Sequence, residues 1–242
     1  MTLRIAMWSG PRNLSTAMMR SFSSRSDTVV SDEPFYGCFL KATGADHPLR
    51  EQVIAAMDCD WKSVMASLRG DPPEARPVWH QKHMWHHMTG PVGYDDFSGF
   101  AHAFLIREPE RMIASYLRKR ESARFEDFGL ERQAEFFERE ADRIGRAPPV
   151  IDANDVLADP EAVLSKLCAA LGIAWDPAML RWERGRRETD GIWAAHWYNA
   201  VEASTGFGPP ETGPVALPSD AQRLADKCRP YYERLAAHRI RA

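Results

Sequence analysis

The sequence predicts an α/β fold in which helices flank a central, mostly parallel β-sheet. Short apolar segments alternate along the chain with segments of helical periodicity, which is the order typical of βαβ units. The composition, with 44% hydrophobic and 27% charged residues, is that of a globular chain. We expect residues 1–242 to form one domain, with a helical and irregular C-terminal flap over about 184–242.

The predicted strands are apolar runs that end at turn-forming residues. Ser9, Gly10 and Pro11 end the first run, and Pro34 stops the second. The fourth run, Ala-His-Ala-Phe-Leu-Ile, is apolar enough for a fully buried strand. The runs cover residues 3–9, 28–31, 78–83, 101–106 and 148–152.

The predicted helices are recognised by their periodicity and by the residues at their ends. Ser15 and Thr16 cap the first helix, Pro109 lies in the first turn of another, and Gly172 ends a third. The helices cover residues 15–24, 48–58, 61–69, 110–120, 130–145, 159–172 and 219–238.

The charge and the apolar pattern argue against several classes of partner. With 31 basic and 34 acidic residues the net charge is −3, so we predict no nucleic-acid partner and no membrane partner. The longest apolar runs are far shorter than the ~20 residues of a membrane-spanning helix. The first run is too short for a signal peptide, and the four cysteines form no Cys-x-x-Cys pair, so we expect a cytoplasmic chain with reduced thiols.

The loop from Ser9 to Thr16 is a candidate anion site, because it joins a strand to the N-terminus of a helix. Such a terminus presents unpaired N–H groups, and Arg12 adds a guanidinium suited to phosphate or sulfate oxygens. The alternative is a tight turn before a capped helix, with Arg12 in solvent. The loop is not a Walker A motif, since Leu14 stands where that motif requires lysine.

A second pair of residues repeats the chemistry of an anion site. Arg107 follows the strand at 101–106, and Ser115 lies eight residues later on the next helix. Together with Pro11–Thr16, this pair resembles the sulfotransferases that use 3′-phosphoadenosine 5′-phosphosulfate (PAPS). Their first loop holds the 5′-phosphosulfate, and an Arg and a Ser eight residues apart hold the 3′-phosphate. The stretches Arg184-Gly185 and Asp190–Trp193 look similar to a late loop that covers the nucleotide in that family.

The resemblance implies a P-loop-NTPase-like sulfotransferase architecture with PAPS as the cosubstrate and a small molecule as the acceptor. Adenosine 3′,5′-bisphosphate would be the product. The family's loop has glycine where Leu14 stands, and often a tryptophan where Ala17 and Met18 stand. The residues that the resemblance assigns to nucleotide binding are Arg12, Asn13, Leu14, Ser15, Thr16, Arg107, Ser115, Arg184 and Gly185.

Sulfuryl transfer needs a base for the acceptor proton and positive charge at the leaving phosphate. Arg12 is the candidate for the charge. The resemblance implies two equal candidates for the base, because family members use either a histidine after a strand, where His83 stands, or in some bacterial members a glutamate after the second strand, where Glu33 stands. Histidine acts near neutral pH without tuning, whereas Glu33 requires a pKa raised by burial.

The segment from His80 to His87 contains four of the eight histidines. His83 and His87 have the i, i+4 spacing of a metal site, but the segment lacks the pattern of a zinc protease and has no carboxylate. We therefore predict no metal ligands.

A late aromatic cluster has two interpretations, the wall of an acceptor pocket or the core of the flap. Its members are Trp182, Trp193, Trp197 and Tyr198.

The favoured function is transfer of a sulfuryl group from PAPS to a hydroxyl or amine. The alternatives are a P-loop-like kinase or phosphotransferase, which the missing Walker lysine disfavours, and a nucleotide-binding module without transfer activity. Binding of the bisphosphate without turnover would indicate the module. The sequence carries no signal for an oligomeric state.

Overall fold

The computed structural model describes residues 2–242 and contains a five-stranded, all-parallel sheet with the strand order β2-β3-β1-β4-β5. The sequence predicts each strand to within a few residues. The strands are β1 (Leu3–Ser9), β2 (Thr28–Asp32), β3 (Val78–Met84), β4 (Ala101–Ile106) and β5 (Val150–Asp152).

Within residues 2–242 the α-helices α1 to α11 connect and cover these strands. They are α1 (Ser15–Ser23), α2 (Tyr36–Thr43), α3 (Arg50–Ala56), α4 (Trp61–Arg69), α5 (Pro109–Leu117), α6 (Leu130–Ile144), α7 (Ala153–Ala158), α8 (Pro160–Leu171), α9 (Ala194–Trp197), α10 (Asn199–Glu202) and α11 (Ser219–Ala236). Short 3-10 turns lie at Trp85–His87, Tyr94–Phe97, Phe125–Asp127 and Pro177–Leu180. The sequence did not predict α2, α7, α9 and α10, of which the last three have at most six residues and are too short to show a helical period.

The two faces of the sheet carry separate apolar layers because side chains alternate along each strand. On β1, Ile5 and Met7 pack with α1 and α8, whereas Ala6 and Trp8 pack into the layer on the other face with α4 and α6. The cleft described below lies on the α1 face.

The flap is attached to this α1 face by a buried ion pair. Arg20 of α1 donates to both oxygens of Asp190, and both side chains are almost fully buried. Trp182 and Trp193 are also buried and line neither cavity, so they form core under the flap. Half-buried Trp197 and buried Tyr198 both line the cleft, so the interpretation as core applies to Trp182 and Trp193, and the acceptor-pocket interpretation of the other two stays a prediction.

No helix within residues 2–242 is both long enough and apolar enough to cross a membrane.

Candidate active site

Two adjoining cavities lie at the carboxyl ends of the parallel strands, where α/β folds bind ligands. The inner cavity, of about 70 Å³, lies between the first loop and the end of β2. The outer cavity, of about 370 Å³, lies between the first loop and the flap. Their walls share Arg12, Ser15, Thr16, Trp197 and Tyr198, so the first loop separates two compartments of one cleft.

The first loop has a strained backbone that turns it sharply into α1. Arg12 and Leu14 have φ angles of 63° and 70°, in the left-handed region that favours glycine. Leu14 thus takes the backbone form that a glycine would take at the start of α1. Gly10 is needed for close packing, because a Cβ there would lie 2.7 Å from the carbonyl oxygen of Phe128.

The loop side chains divide between the cleft and the protein interior. Ser15 and Thr16 line both cavities, and Leu14 lines the outer one. Asn13 is fully buried and lines neither cavity, and its Nδ2 donates to the carbonyl oxygen of Leu105 at 3.5 Å. The Asn13 side chain therefore anchors the loop to β4 and does not face the cleft.

The structure brings Arg12, Arg107 and Ser115 together. Arg12 Nε donates to Ser115 Oγ at 3.1 Å, and Arg107 Nη1 donates to the carbonyl oxygen of Arg12. The pKa of Arg12 is lowered, first by burial and then by the positive charges of Arg107 and Arg118. A cluster of cations that repel one another at a helix N-terminus is an arrangement that an anion stabilises.

A carboxylate lies against this cationic cluster. Glu211 of the flap accepts a hydrogen bond from Arg107 Nη2, and both residues line the outer cavity. The apolar part of that cavity includes Leu157, Val201 and Phe207.

A network of buried charged groups lies at the wall of the inner cavity, which Glu33, Lys82 and Tyr198 line. Lys82, which is 0% exposed, donates to Asp32 Oδ1 at 2.8 Å and to Glu33 Oε1 at 2.7 Å. Lys82 also donates to the Tyr198 hydroxyl, and that hydroxyl in turn donates to Asp32 Oδ2 at 2.7 Å. Burial lowers the pKa of Lys82, but the two carboxylates outweigh that effect and raise it.

Glu33 is held at the end of β2 with one oxygen directed away from Lys82. Its φ angle is 46°, a left-handed conformation that is rare for glutamate. Its Oε2 lies 3.9 Å from His87 Nε2, and the side chain lines the inner cavity. Burial raises the pKa of Glu33, Lys82 opposes that shift, and the neighbouring Asp32 charge adds to it. Glu33 therefore lines the inner cavity with a raised pKa, and a general base would need both properties.

His83 lies on the opposite face of the sheet and lines neither cavity. It is 1% exposed and stacks on Trp8 with ring centroids 4.6 Å apart. Burial lowers its pKa to about 3. Adjacent residues of a strand point to opposite faces, so Lys82 faces the cleft and His83 does not. This placement corrects the expectation that His83 is a candidate base.

Other histidines do surround the inner cavity. Burial lowers the pKa of His47 to about 4 and that of His86 to about 3, so both are neutral at physiological pH. Tyr36 stacks on His87 with ring centroids 4.5 Å apart. Within residues 2–242 no group of three or more His, Cys, Asp or Glu side chains is arranged to hold a metal ion.

The structure does not bring Arg184 and Gly185 to the cleft. Arg184 is exposed, Gly185 donates its N–H to the carbonyl oxygen of Glu202 at 2.8 Å, and neither lines a cavity. The flap segment from Ser204 to Glu211 covers the outer cavity instead. The sequence analysis did not identify Lys82, Asp32, Phe207 or Glu211 as site residues. For Lys82 one signal was available, because a lysine lies within a predicted strand of the central sheet.

Comparison with known protein families gives one match over nearly the whole chain. The family described as "Sulfotransferase domain" matches residues 3–239. Two curated proteins of Arabidopsis thaliana, the branched-chain-amino-acid aminotransferase-like proteins 2 and 1, are each 35% identical over 234 residues. The aligned region is 97% of this chain but 41% and 42% of those proteins, so the chain spans about two fifths of their length.

Two solved structures share the fold. The sulfotransferase domain from the curacin biosynthetic pathway matches with a TM-score of 0.54 and 16% identity, covering 95% of this chain and 98% of that one. A sulfotransferase from Alicyclobacillus acidocaldarius matches with a TM-score of 0.56 and 16% identity, covering 99% and 97%. The predicted α/β sulfotransferase architecture is confirmed by this likeness.

Proposed function

The chain belongs to the sulfotransferase domain family, and from that membership we propose that it transfers the sulfuryl group of PAPS to a hydroxyl or amine of a small molecule. The observation that carries the proposal is the division of the cleft. A cationic cluster lies in one compartment, a tuned carboxylate lies in the other, and Arg12 contributes to the walls of both.

The outer cavity suits a nucleotide with two separate phosphate groups. The N-terminus of α1, with Arg12, Ser15 and Thr16, would hold the 5′-phosphosulfate, and Arg107 would hold a 3′-phosphate. Ser115 is 3% exposed and lines neither cavity, but its Oγ accepts from Arg12 Nε beside this site. A volume of about 370 Å³ is within the usual range for ligand pockets. Phe207 supplies an aromatic wall, which fits the adenine in the absence of a tryptophan after the loop.

The inner cavity suits the acceptor group and its proton. Glu33 Oε2 would accept the proton of an acceptor hydroxyl as the acceptor oxygen bonds to sulfur, while Oε1 stays bound to Lys82. The bond between sulfur and the phosphate oxygen breaks in the same displacement. Arg12 and the α1 N-terminus would stabilise the charge that develops on the leaving phosphate.

The experiment is a turnover assay with PAPS and a panel of alcohols, phenols and amines in excess EDTA. Mass spectrometry would follow both adenosine 3′,5′-bisphosphate and the sulfated acceptor. We expect turnover without added metal, because the positive charge comes from Arg12 and the helix N-terminus. Activity that is lost on chelation and restored by zinc would contradict this part of the proposal.

Arg12→Ala is the decisive variant, with Arg118→Ala as its matched control. Removing one preorganised donor of this kind typically lowers the rate ~100- to 1,000-fold. Arg118 is an exposed arginine that acts on Arg12 through its charge but lines neither cavity, so its loss should leave most of the activity. Equal rates for the two variants would contradict the role of Arg12. Tight bisphosphate binding with no turnover on the whole panel would favour a nucleotide-binding module.

A further inference from the structure

The guanidinium of Arg107 is already bound to acceptors of the protein itself. Its Nη1 donates to the backbone carbonyl oxygen of Arg12, and its Nη2 donates to Glu211 Oε1. A phosphate placed against Arg107 therefore meets the carboxylate of Glu211. The two anions would repel each other, because like charges placed side by side oppose binding.

The contact between Glu211 and Arg107 is built so that it can open. Glu211 bonds through one oxygen, and among residues 2–242 its buried Oε2 has no hydrogen-bond partner. Its side chain is 35% exposed, in contrast to the fully buried pair of Arg20 and Asp190. A carboxylate held at one point in partial contact with water is a weaker ligand for arginine than a phosphate dianion that binds through two oxygens.

The backbone around Glu211 is irregular but tethered on both sides. The N–H of Glu211 donates to Asn154 Oδ1 at 2.8 Å, and Arg111 Nη2 donates to the carbonyl oxygen of Gly213 at 2.8 Å. No helix or strand covers residues 207–218, all of which the structure describes. The tethers keep the carboxylate beside Arg107, so a displaced Glu211 side chain remains close enough to return.

We propose that Glu211 is an internal competitor for the 3′-phosphate site and sets its selectivity. The inference rests on the proposed function. A nucleotide with a 3′-phosphate must displace the carboxylate to reach Arg107. A nucleotide with a free 3′-hydroxyl leaves the pair intact, and its hydroxyl can donate a hydrogen bond to Glu211. Glu211 therefore weakens the binding of 3′-phosphorylated nucleotides selectively, and its return to Arg107 favours release of the bisphosphate product.

The test compares the wild-type chain with Glu211→Gln by isothermal titration calorimetry, with adenosine 3′,5′-bisphosphate and AMP as separate ligands. Glutamine keeps the size of the side chain and removes its charge. We expect the variant to bind the bisphosphate about tenfold more tightly, or better, since each tenfold is about 1.4 kcal/mol and like-charge contacts exceed that. Its affinity for AMP should stay within about twofold.

Two further variants separate the charge effect from other causes. Glu211→Ala removes the charge without adding an amide and should change bisphosphate affinity in the same direction. Glu138→Gln is the matched control, because it removes the same charge from a surface ion pair with Arg234. It should leave both affinities unchanged.

Each result has a definite meaning. An unchanged or weaker bisphosphate affinity in Glu211→Gln would overturn the inference, and so would an equal gain for AMP. If the wild-type chain and Glu211→Gln both bind AMP as tightly as the bisphosphate, the proposed function fails and the inference fails with it. If the wild type prefers the bisphosphate and Glu211→Gln gains nothing, the role of Glu211 alone is rejected.

Discussion

The two compartments of the cleft hold their charges in different ways. In the inner compartment Lys82 is fully buried and binds two carboxylates and a tyrosine hydroxyl at once. In the outer compartment Arg107 is paired with Glu211, a partly exposed residue of an irregular segment. The inner charges are fixed by burial, whereas the outer charges have a partner that a ligand can replace.

This difference matches the two tasks that a group-transfer enzyme has to perform. A base must keep its position and pKa through every turnover, which burial in a closed network provides. A nucleotide must enter and leave, which requires that the site exchange one anionic partner for another. The predictions below begin with the buried histidines of β3 and its end and then test the inner compartment, from the largest expected effect to the smallest.

The largest expected effect is acid unfolding caused by the buried histidines. Burial lowers the pKa of His80, His83 and His86 to about 3, so these side chains take up protons in the unfolded chain below about pH 6.5 but not in the folded one. Stability is therefore highest above pH 6.5 and falls as the pH falls toward 3. At pH 5 each such histidine lowers the free energy of unfolding by about 2 kcal/mol.

Urea unfolding followed by circular dichroism at pH 7, 6 and 5 would measure this loss. Several such histidines together approach the whole stability of a typical domain, about 5–15 kcal/mol. His80→Phe, which keeps an aromatic ring against Phe22, should lower the number of protons taken up on unfolding by one at acidic pH. A free energy of unfolding that stays constant down to pH 5 would show that the histidines are not held neutral.

Glu33→Gln and His83→Asn should separate the two original candidates for the base. Loss of a general base lowers the rate ~100- to 10,000-fold, and Glu33→Gln should also remove the acidic limb of the pH–rate profile. His83→Asn alters a residue on the other face of the sheet and should keep the acidic limb if the variant folds. Bisphosphate binding serves as the folding control for both. A normal limb in Glu33→Gln would contradict the assignment.

A smaller effect is expected from the neighbours of Glu33, in opposite directions. Asp32→Asn removes a like charge, so the pKa of Glu33 should fall and the acidic limb should move to lower pH. Lys82→Met removes the opposite charge, so the limb should move to higher pH. Shifts of about one unit or more are expected for charges this close. Shifts in the same direction would contradict the network, and melting temperatures would identify any variant that fails to fold.

The sequence predicted the regular parts of the fold because long apolar runs and capping residues are local signals. It also predicted Arg12, Arg107 and Ser115 as candidate site residues, since each lies at the end of a predicted strand or on the helix that follows. His83 was misplaced because the alternation of side chains along β3 was not applied to Lys82 and His83. Applying it would have shown that these neighbours face opposite sides of the sheet.

The remaining site residues depend on long-range contacts that leave little trace in the sequence. Lys82 and Tyr198 are far apart in the chain and meet only when the flap docks on the α1 face. Glu211 lies among glycines and prolines with no helix or strand period, so no pattern connects it with Arg107. Such pairs are set by tertiary packing rather than by local propensity.

Nucleotide selectivity tests the account most directly, through the melting temperature of the wild-type chain with equal concentrations of adenosine 3′,5′-bisphosphate, AMP or ATP. If Arg107 holds a 3′-phosphate, the bisphosphate should stabilise the protein far more than either of the others. A ligand at a hundredfold excess over its Kd adds about 2.7 kcal/mol, a shift that is readily measured. Equal shifts for the bisphosphate and AMP in both the wild-type chain and Glu211→Gln would contradict the assignment of the cleft to PAPS.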